Sequence, residues 1–169
     1  MGGNAQHRAI RRVAGRLRLD MAAFRALAAF AQFGGDLDQT TQQQLKRGQQ
    51  LQEILKQRQH APMPFPEQVA VVYAVTTGKA DNVPVADMAA WEKDLLAFLR
   101  GTYPAVLRGI EDREPDYRRI DEQLAGERDP ARRPYLEDQR RALDRATDSE
   151  LEAAVNAFIA TWSSVGSSA

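Results

Sequence analysis

Apolar residues recur every three or four positions through residues 8–33, and the run is rich in alanine. This spacing places them on one face of an α-helix, and alanine favours that conformation intrinsically. The pattern predicts a long amphipathic helix that ends at Gly34 and Gly35, where a residue with positive φ is often needed. Gly15, inside the helix, is expected to mark a close packing contact. The apolar positions are Ile10, Val13, Leu17, Met21, Phe24, Leu27, Ala28 and Ala31.

A second helix is predicted from Asp38 to about Gln57. Asp38 is a good N-cap, because its carboxylate accepts hydrogen bonds from the free amides of the first helical turn. The helix is followed by a connector at 61–66 that contains three prolines and is expected to be extended. The apolar face of this helix is expected to comprise Leu45, Leu51, Ile54 and Leu55.

Three more helices are predicted before residue 111. Pro66 suits the first turn of a third helix, and the segment 76–82 is a predicted turn. A fourth helix is expected after Pro84, and a short fifth helix after Pro104. Their inner faces are expected to include Val69, Val72 and Tyr73 in the third helix, and Met88, Trp91, Leu95 and Phe98 in the fourth.

Residues 111–147 differ in character from the rest of the chain, because they are densely charged and contain three prolines. Their sparse apolar residues fit two exposed helical pieces, so we interpret the segment as a solvated helical hairpin or a partly disordered insert. Thr147 and Glu150 match a capping box, which predicts a last apolar helix over 148–164. Residues 165–169 are expected to form a flexible tail.

The predicted fold class is all-α, since no run combines a convincing strand pattern with turn chemistry. We expect a helical bundle built from residues 1–110 and 148–164, with 111–147 as a charged helical insert. The chain has 169 residues, of which 43% are hydrophobic and 27% charged. A chain of this length and composition buries a core without disulfides, and it has no cysteine to form one.

Charge is balanced over the whole chain but not along it. There are 23 basic and 23 acidic side chains, which argues against a general nucleic-acid binder. The first helix, however, carries six arginines against Asp20 alone. We interpret these arginines as a solvated or partner-facing surface, with RNA binding as a distant alternative. No apolar run is long enough to span a bilayer, and the N-terminal residues carry no signal-peptide core, so no direct membrane insertion is expected.

The residues give few signs of catalysis. The sequence contains neither a phosphate-binding GxxxxGK[ST] loop nor GxSxG or HExxH motifs. Asp36 and Asp38 form a carboxylate pair, but in a loop that opens a helix such residues usually serve as caps. Gln57 and Gln59 are two exposed amides at a predicted helix end. The residues alone therefore indicate a helical interaction or scaffold domain.

Several collinear strings resemble the C-terminal domain of the alpha subunit of the rotary, F-type ATP synthase. The resemblance covers most of the chain and departs from the family at 111–147, which is longer and more charged than the usual connection. The strings are GGNAQ (2–6), VAGRLRLD (13–20), FAQFGGDLD (30–38), LKRGQQLQEILKQRQ (45–59), EQVAVVYAVTTG (67–78), NVPVADMAAWEKDLLAFL (82–99) and SELEAAVNAF (149–158).

The resemblance implies a noncatalytic component of the proton-transporting complex that makes ATP from ADP and phosphate. It implies beta and gamma subunits as partners, no nucleic-acid partner, and a peripheral position on the cytoplasmic side of the inner (plasma) membrane. It also implies two sites. Gln57 and Gln59 match amides that contact the adenine of a noncatalytic nucleotide, and a second set matches the loop that faces the central stalk: Phe33, Gly34, Gly35, Asp36, Leu37 and Asp38.

The resemblance also implies limits to what these residues do. In the family, an arginine that reaches the neighbouring catalytic site precedes the position of Gly2, where this sequence has Met1. We therefore expect this chain to lack that arginine and the nucleotide-binding domain, and to catalyse nothing alone. ATP or ADP with magnesium belongs to the full-length family, and no cofactor is expected for this chain alone. A standalone helical adaptor for a protein partner is the alternative function.

Overall fold

The computed structural model of the chain describes residues 6–31, 37–56 and 62–165, with side chains described as far as residue 162. All regular elements in these ranges are helical, which confirms the all-α prediction. A single 3₁₀ turn, Val85–Asp87, precedes the fourth α-helix. The α-helices are α1 (Arg8–Ala31), α2 (Gln39–Ile54), α3 (Phe65–Thr76), α4 (Met88–Thr102), α5 (Pro104–Asp112), α6 (Glu114–Gly126) and α7 (Arg133–Val165).

Helix α3 lies at the centre of the main core. Of its 12 residues, nine are buried, so α3 is covered on almost all sides rather than on the single face that the sequence predicts. Helices α1, α2, α4, α5 and α7 all pack against it. Trp91 of α4 and Phe158 of α7 meet beside it edge to face, with ring centroids 5.8 Å apart. The last helix is thereby part of the same core as the first five.

Helix α2 is attached to the core partly through polar groups. The buried amide of Gln50 donates to the carbonyls of Ala80 (2.7 Å) and Val83 (2.8 Å), in and just after the turn that follows α3. This turn was predicted, and Gly78 adopts a φ of +80° in it. The prediction that Leu55 faces the core is wrong, since its side chain is 48% exposed. Leu55 is the C-cap residue, where the helix ends.

The glycine that marks close packing is Gly48, not Gly15. A Cβ built at Gly15 would have no atom within 4 Å, so the sequence-based prediction for that position is wrong. A Cβ at Gly48 would lie only 2.3 Å from the Cγ and Cδ2 atoms of Phe24. Helices α1 and α2 therefore cross in contact at Gly48, with the Phe24 ring filling the space where a side chain would be.

Helix α6 and the first half of α7 form an antiparallel hairpin. Prolines at positions 115 and 134 lie near the starts of these helices, where the missing amide hydrogen costs nothing. A small second core lies between the two helices and contains Ile120, Leu124 and Leu136, with Leu143 packed against it. The segment is helical over most of its length, and its apolar residues are buried in a core of their own rather than exposed.

Helix α7 continues without a break for 33 residues through the position of the predicted capping box. The capping-box prediction is therefore wrong. The Thr147 hydroxyl donates to the carbonyl of Leu143, one turn earlier in the same helix, at 3.0 Å. Threonine can form local hydrogen bonds of this kind within a helix as well as at its start. The motif alone therefore does not distinguish a helix start from a position inside a helix.

Candidate functional site

The loop predicted to face a central stalk is described only at its end. Phe33, Gly34, Gly35 and Asp36 lie outside the described residues, whereas Leu37 and Asp38 lie within them. Asp38 is the N-cap of α2, as predicted, with its Oδ1 accepting from the Thr41 amide at 3.1 Å. The Leu37 carbonyl accepts from Gln42 Nε2 at 3.0 Å. These bonds fix the residues at which the loop joins α2.

The two amides predicted to contact adenine, Gln57 and Gln59, lie outside the described residues. The neighbouring described residue, Lys56, follows the end of α2, and its ammonium lies 2.5 Å from the Glu53 carboxylate. The loop and the amides thus adjoin opposite ends of one helix. At 1.5 Å per residue, the start and end of α2 are roughly 25 Å apart. The structure therefore describes Leu37 and Asp38 of the first predicted site and neither residue of the second.

Removing the N-cap should weaken α2 in a pH-dependent way. Hydrogen bonds from Thr41 lower the pKa of the Asp38 carboxyl below its ordinary 3.8. The stabilisation is therefore complete above pH 3.8 and is lost as the pH falls through the lowered pKa. We expect Asp38→Ala to lower the melting temperature at neutral pH. In acid, the melting temperatures of the variant and the native chain should become equal. Asp38→Asn, which still caps, should keep most of the neutral-pH stability; a loss equal to that of the alanine variant would contradict the capping role.

Three of the six arginines in α1 pair within the chain rather than facing solvent or a partner. Arg12 Nη1 lies 2.7 Å from the Asp148 carboxylate and donates to the Asp144 carbonyl at 3.0 Å. Arg8 and Arg11 approach Asp121 of α6. The interpretation of these arginines as a solvated or partner-facing surface is therefore wrong for these three. The exposed arginines of α1 are Arg16, Arg18 and Arg25.

The carboxylates that receive these arginines belong to the segment 111–147 or adjoin it, so charge pairing fixes the hairpin to α1. Glu114 contributes as well, since both of its oxygens accept from the Arg8 backbone amide, at 3.1 and 2.9 Å. This carboxylate therefore caps the first turn of α1 from another helix, where the helix dipole favours negative charge. Sequence reasoning missed the cap because the partners are 106 residues apart.

Two further polar contacts hold α5 and α6 to the middle of α7. The Arg113 guanidinium forms a bidentate ion pair with the Glu150 carboxylate, and this pairing raises the pKa of Arg113. Tyr117 is 1% exposed and donates its hydroxyl to Asp144 Oδ1 at 3.0 Å. Burial, and then the negative charge of Asp144, raise the pKa of Tyr117 to about 12.

Tyr117 should make the fold sensitive to alkali. Its pKa lies above the ordinary 10.0 in the folded chain, so its stabilisation is complete below pH 10.0 and is lost as the pH rises towards 12. Burial also raises the pKa of Tyr73, so we expect the absorbance of tyrosinate to show a late phase to which Tyr117 and Tyr73 contribute, together with the loss of helical circular dichroism. Tyr117→Phe should reduce that late phase. Exposed Tyr135 is the control, and Tyr135→Phe should leave the late phase intact.

An open cleft of about 730 Å³ lies where the start of α1 meets α6 and the first half of α7. It is lined by five arginines and four carboxylates, and by His7, whose ring stacks on Phe65 at 4.0 Å. Within the described ranges, no group of three or more histidine, cysteine, aspartate or glutamate side chains is arranged to hold a metal ion. The chemistry that the cleft offers is ion pairing with guanidinium groups.

Helix order, the capped entry to α2 and the hairpin fixed by ion pairs define an all-α domain in which charged side chains join helices distant in sequence. The family model described as "ATP synthase alpha/beta chain, C terminal domain" matches residues 6–127. The chain belongs to this family. The match includes α6, and it ends before α7 begins.

Curated relatives match a similar extent of the chain. ATP synthase subunit alpha of Streptomyces avermitilis is 54% identical over 112 residues, which cover 66% of this chain and 21% of that protein. The alpha subunit of Desulfovibrio desulfuricans is 53% identical over 114 residues, or 68% of this chain and 23% of the relative. That of Streptomyces lividans is 50% identical over 112 residues. The chain spans about a fifth of the length of the curated relatives it matches.

Proposed function

We propose that this chain acts as the C-terminal helical domain of an ATP synthase alpha subunit, as a noncatalytic part of the complex that makes ATP. The observation that carries the proposal is the identity of 54% to an alpha subunit over 112 residues. In this role the domain packs beside beta subunits and presents residues 33–38 to the gamma subunit of the central stalk. The N-cap of α2 supports this role, because the hydrogen bond between Asp38 and the Thr41 amide fixes the residue at which the loop joins the helix.

The proposal places the domain in the peripheral part of the complex, on the cytoplasmic side of the inner (plasma) membrane. Within the ranges that the structure describes, no helix combines the length and hydrophobicity that crossing a bilayer requires. The proposal assigns contact with the membrane to other subunits of the complex. The part of the hairpin after residue 127, which the family model does not match, is assigned to the outer surface of the domain as a charged helical addition.

The proposal assigns neither catalysis nor a resident cofactor to these residues. The 169 residues contain no phosphate loop, and two amides at 57 and 59 supply little binding energy for a nucleotide without one. We expect the purified chain not to hydrolyse ATP, and calorimetry to show no micromolar affinity for ATP or ADP. Hydrolysis that is lost in Gln57→Ala would overturn this part of the proposal.

Coexpression with beta and gamma subunits tests the assignment directly. We expect an affinity-tagged chain to retain both subunits through size-exclusion chromatography. A double substitution in the loop, Asp36→Lys and Leu37→Ala, should weaken retention of gamma more than that of beta. Arg25→Gln, an exposed change elsewhere on α1, is the matched control and should retain both. A chain that elutes as a monomer and retains neither subunit would favour the standalone helical adaptor instead.

A further inference from the structure

The cleft between α1, α6 and α7 contains an imbalance of charge around one carboxylate. The Asp121 carboxylate is approached by three guanidinium groups: Arg8 Nη1 at 3.8 Å, Arg11 Nη1 at 3.9 Å and Arg140 Nη1 at 3.4 Å. Charge-assisted hydrogen bonds between guanidinium and carboxylate groups are about 2.7–2.9 Å long. All three contacts are longer, so one carboxylate is shared among three cations and satisfies none of them fully.

The other carboxylates that line the cleft do not complete the ion pairing of these three arginines. Glu114 is occupied by the backbone amide of Arg8, at 3.1 and 2.9 Å. Glu137 lies 3.5 Å from the guanidinium of Arg133. The remaining arginine and carboxylate that line the cleft, at positions 118 and 122, have opposite charges and offset each other. Five arginines against four carboxylates leave the cleft with one excess positive charge, and the three arginines around Asp121 share that one carboxylate.

These arginines are also partly buried. Their side chains are 20% (Arg8), 33% (Arg11) and 30% (Arg140) exposed. Among the residues that the structure describes, the guanidinium groups of Arg8 and Arg11 form no hydrogen bond, and the buried Nε atom of each has no partner. Partly desolvated like charges repel one another more strongly than they would in water. An anion placed among them relieves that repulsion.

We propose that this cleft binds a phosphate group between Arg8, Arg11 and Arg140. A tetrahedral oxyanion offers more acceptor atoms than a carboxylate, and its negative charge offsets the excess positive charge of the cleft. Arginine is suited to this role because its planar fork of donors fits phosphate oxygens. Arg140 lies beyond the residues matched by the family model, so the site depends on the first half of α7, which follows them.

The volume of about 730 Å³ leaves room for more than a free phosphate ion, so the phosphate group has two sources to distinguish. Inorganic phosphate and phosphoserine, a small phosphomonoester, are the two probes. We expect the complete 169-residue chain to bind inorganic phosphate in ³¹P NMR and calorimetry, at constant ionic strength set with sodium chloride. Tighter binding of phosphoserine assigns the site to a phosphorylated small molecule. Equal or weaker binding assigns it to free phosphate, and binding of neither overturns the proposal.

Substitutions separate the site from general attraction of anions. Arg140→Gln and Arg11→Gln should each weaken phosphate binding by roughly tenfold, the loss expected for one charge-assisted hydrogen bond. Arg25→Gln removes the same charge from an exposed position of α1 outside the cleft and should leave the affinity unchanged. An equal loss in all three variants would show nonspecific attraction and overturn the proposal. Circular dichroism and the thermal midpoint check that each variant is folded.

Asp121→Asn tests the proposal in the opposite direction, because this variant should bind phosphate more tightly rather than more weakly. Removal of the shared carboxylate should lower the stability of the chain without phosphate, because the three arginines then repel one another. The same change should raise the affinity for phosphate several-fold, because the competing anion has gone. Added phosphate should then raise the melting temperature of the variant more than that of the native chain. A fall in affinity in this variant would mean that Asp121 only holds the helices in place, and it would overturn the proposal.

Discussion

Gly48→Ala should destabilise the chain strongly, although it adds a single methyl group. The new Cβ would lie 2.3 Å from two ring atoms of Phe24 and 2.5 Å from the Phe24 Cβ. Overpacking of a core costs about 1–3 kcal/mol and occasionally more. We expect the upper end of that range, because the clash involves an atom next to the backbone of α1 and the two helices must separate. Urea denaturation followed by circular dichroism measures the loss.

Gly15→Ala is the matched control, since both glycines are helical and only their surroundings differ. At Gly15 a methyl group meets no atom within 4 Å, so the change should stabilise the chain by about 0.5–1 kcal/mol through helix propensity. Phe24→Ala removes the ring but not the Cβ, so it should not restore Gly48→Ala to native stability. Opposite signs for the two glycine variants are the expected result. Similar effects at positions 15 and 48 would contradict the close crossing of α1 and α2.

Trp91→Ala should cost the most of any single truncation in the main core. The side chain of Trp91 is fully buried and packs edge to face against Phe158, so its loss leaves a large cavity between α4 and α7. Truncations of buried tryptophan cost about 3–5 kcal/mol. A small domain has a total stability of about 5–15 kcal/mol, so this variant should be largely unfolded at moderate temperature or urea concentration.

Trp91→Phe separates ring packing from the polar group of the indole. The Nε1 atom of Trp91 is buried and has no hydrogen-bond partner within the described ranges, so its removal relieves a desolvated donor while leaving a smaller cavity. We expect a loss well below that of the alanine variant. Trp162→Phe, in a partly buried side chain near the end of α7, is the control and should cost less still. A loss for Trp91→Phe as large as for Trp91→Ala would show that the Nε1 group has a partner.

Most features that depend on neighbouring residues were predicted correctly from the sequence, although the capping box at Thr147 was not. The N-cap at Asp38 was predicted because its oxygen needs only the amide three residues later. The turn at 76–82 was predicted because it contains a glycine, and Gly78 has the positive φ that such turns favour. The order of the helices and the position of prolines near their first turns likewise follow from short-range patterns.

Features that depend on which helices meet could not be predicted in this way. Gly15 and Gly48 are each a single glycine within a helical pattern, and only the crossing of α1 with α2 distinguishes them. The arginines of α1 looked solvent-facing because their partners lie more than 100 residues away in the chain. Acidic residues in a charged segment gave no sign of which cations they would meet. The candidate phosphate site consists only of such long-range contacts.

The unbroken course of α7 has a mechanical consequence. A helix of 33 residues is about 50 Å long, and its hydrogen bonds join Leu136 in the small core to Phe158 in the main core through one continuous ladder. Force applied to the connection between α6 and α7 cannot be absorbed by a flexible joint at residue 147. It either bends the helix or shifts the packing around Phe158. A displacement of the hairpin is therefore transmitted along α7 to the packing around Phe158 in the main core.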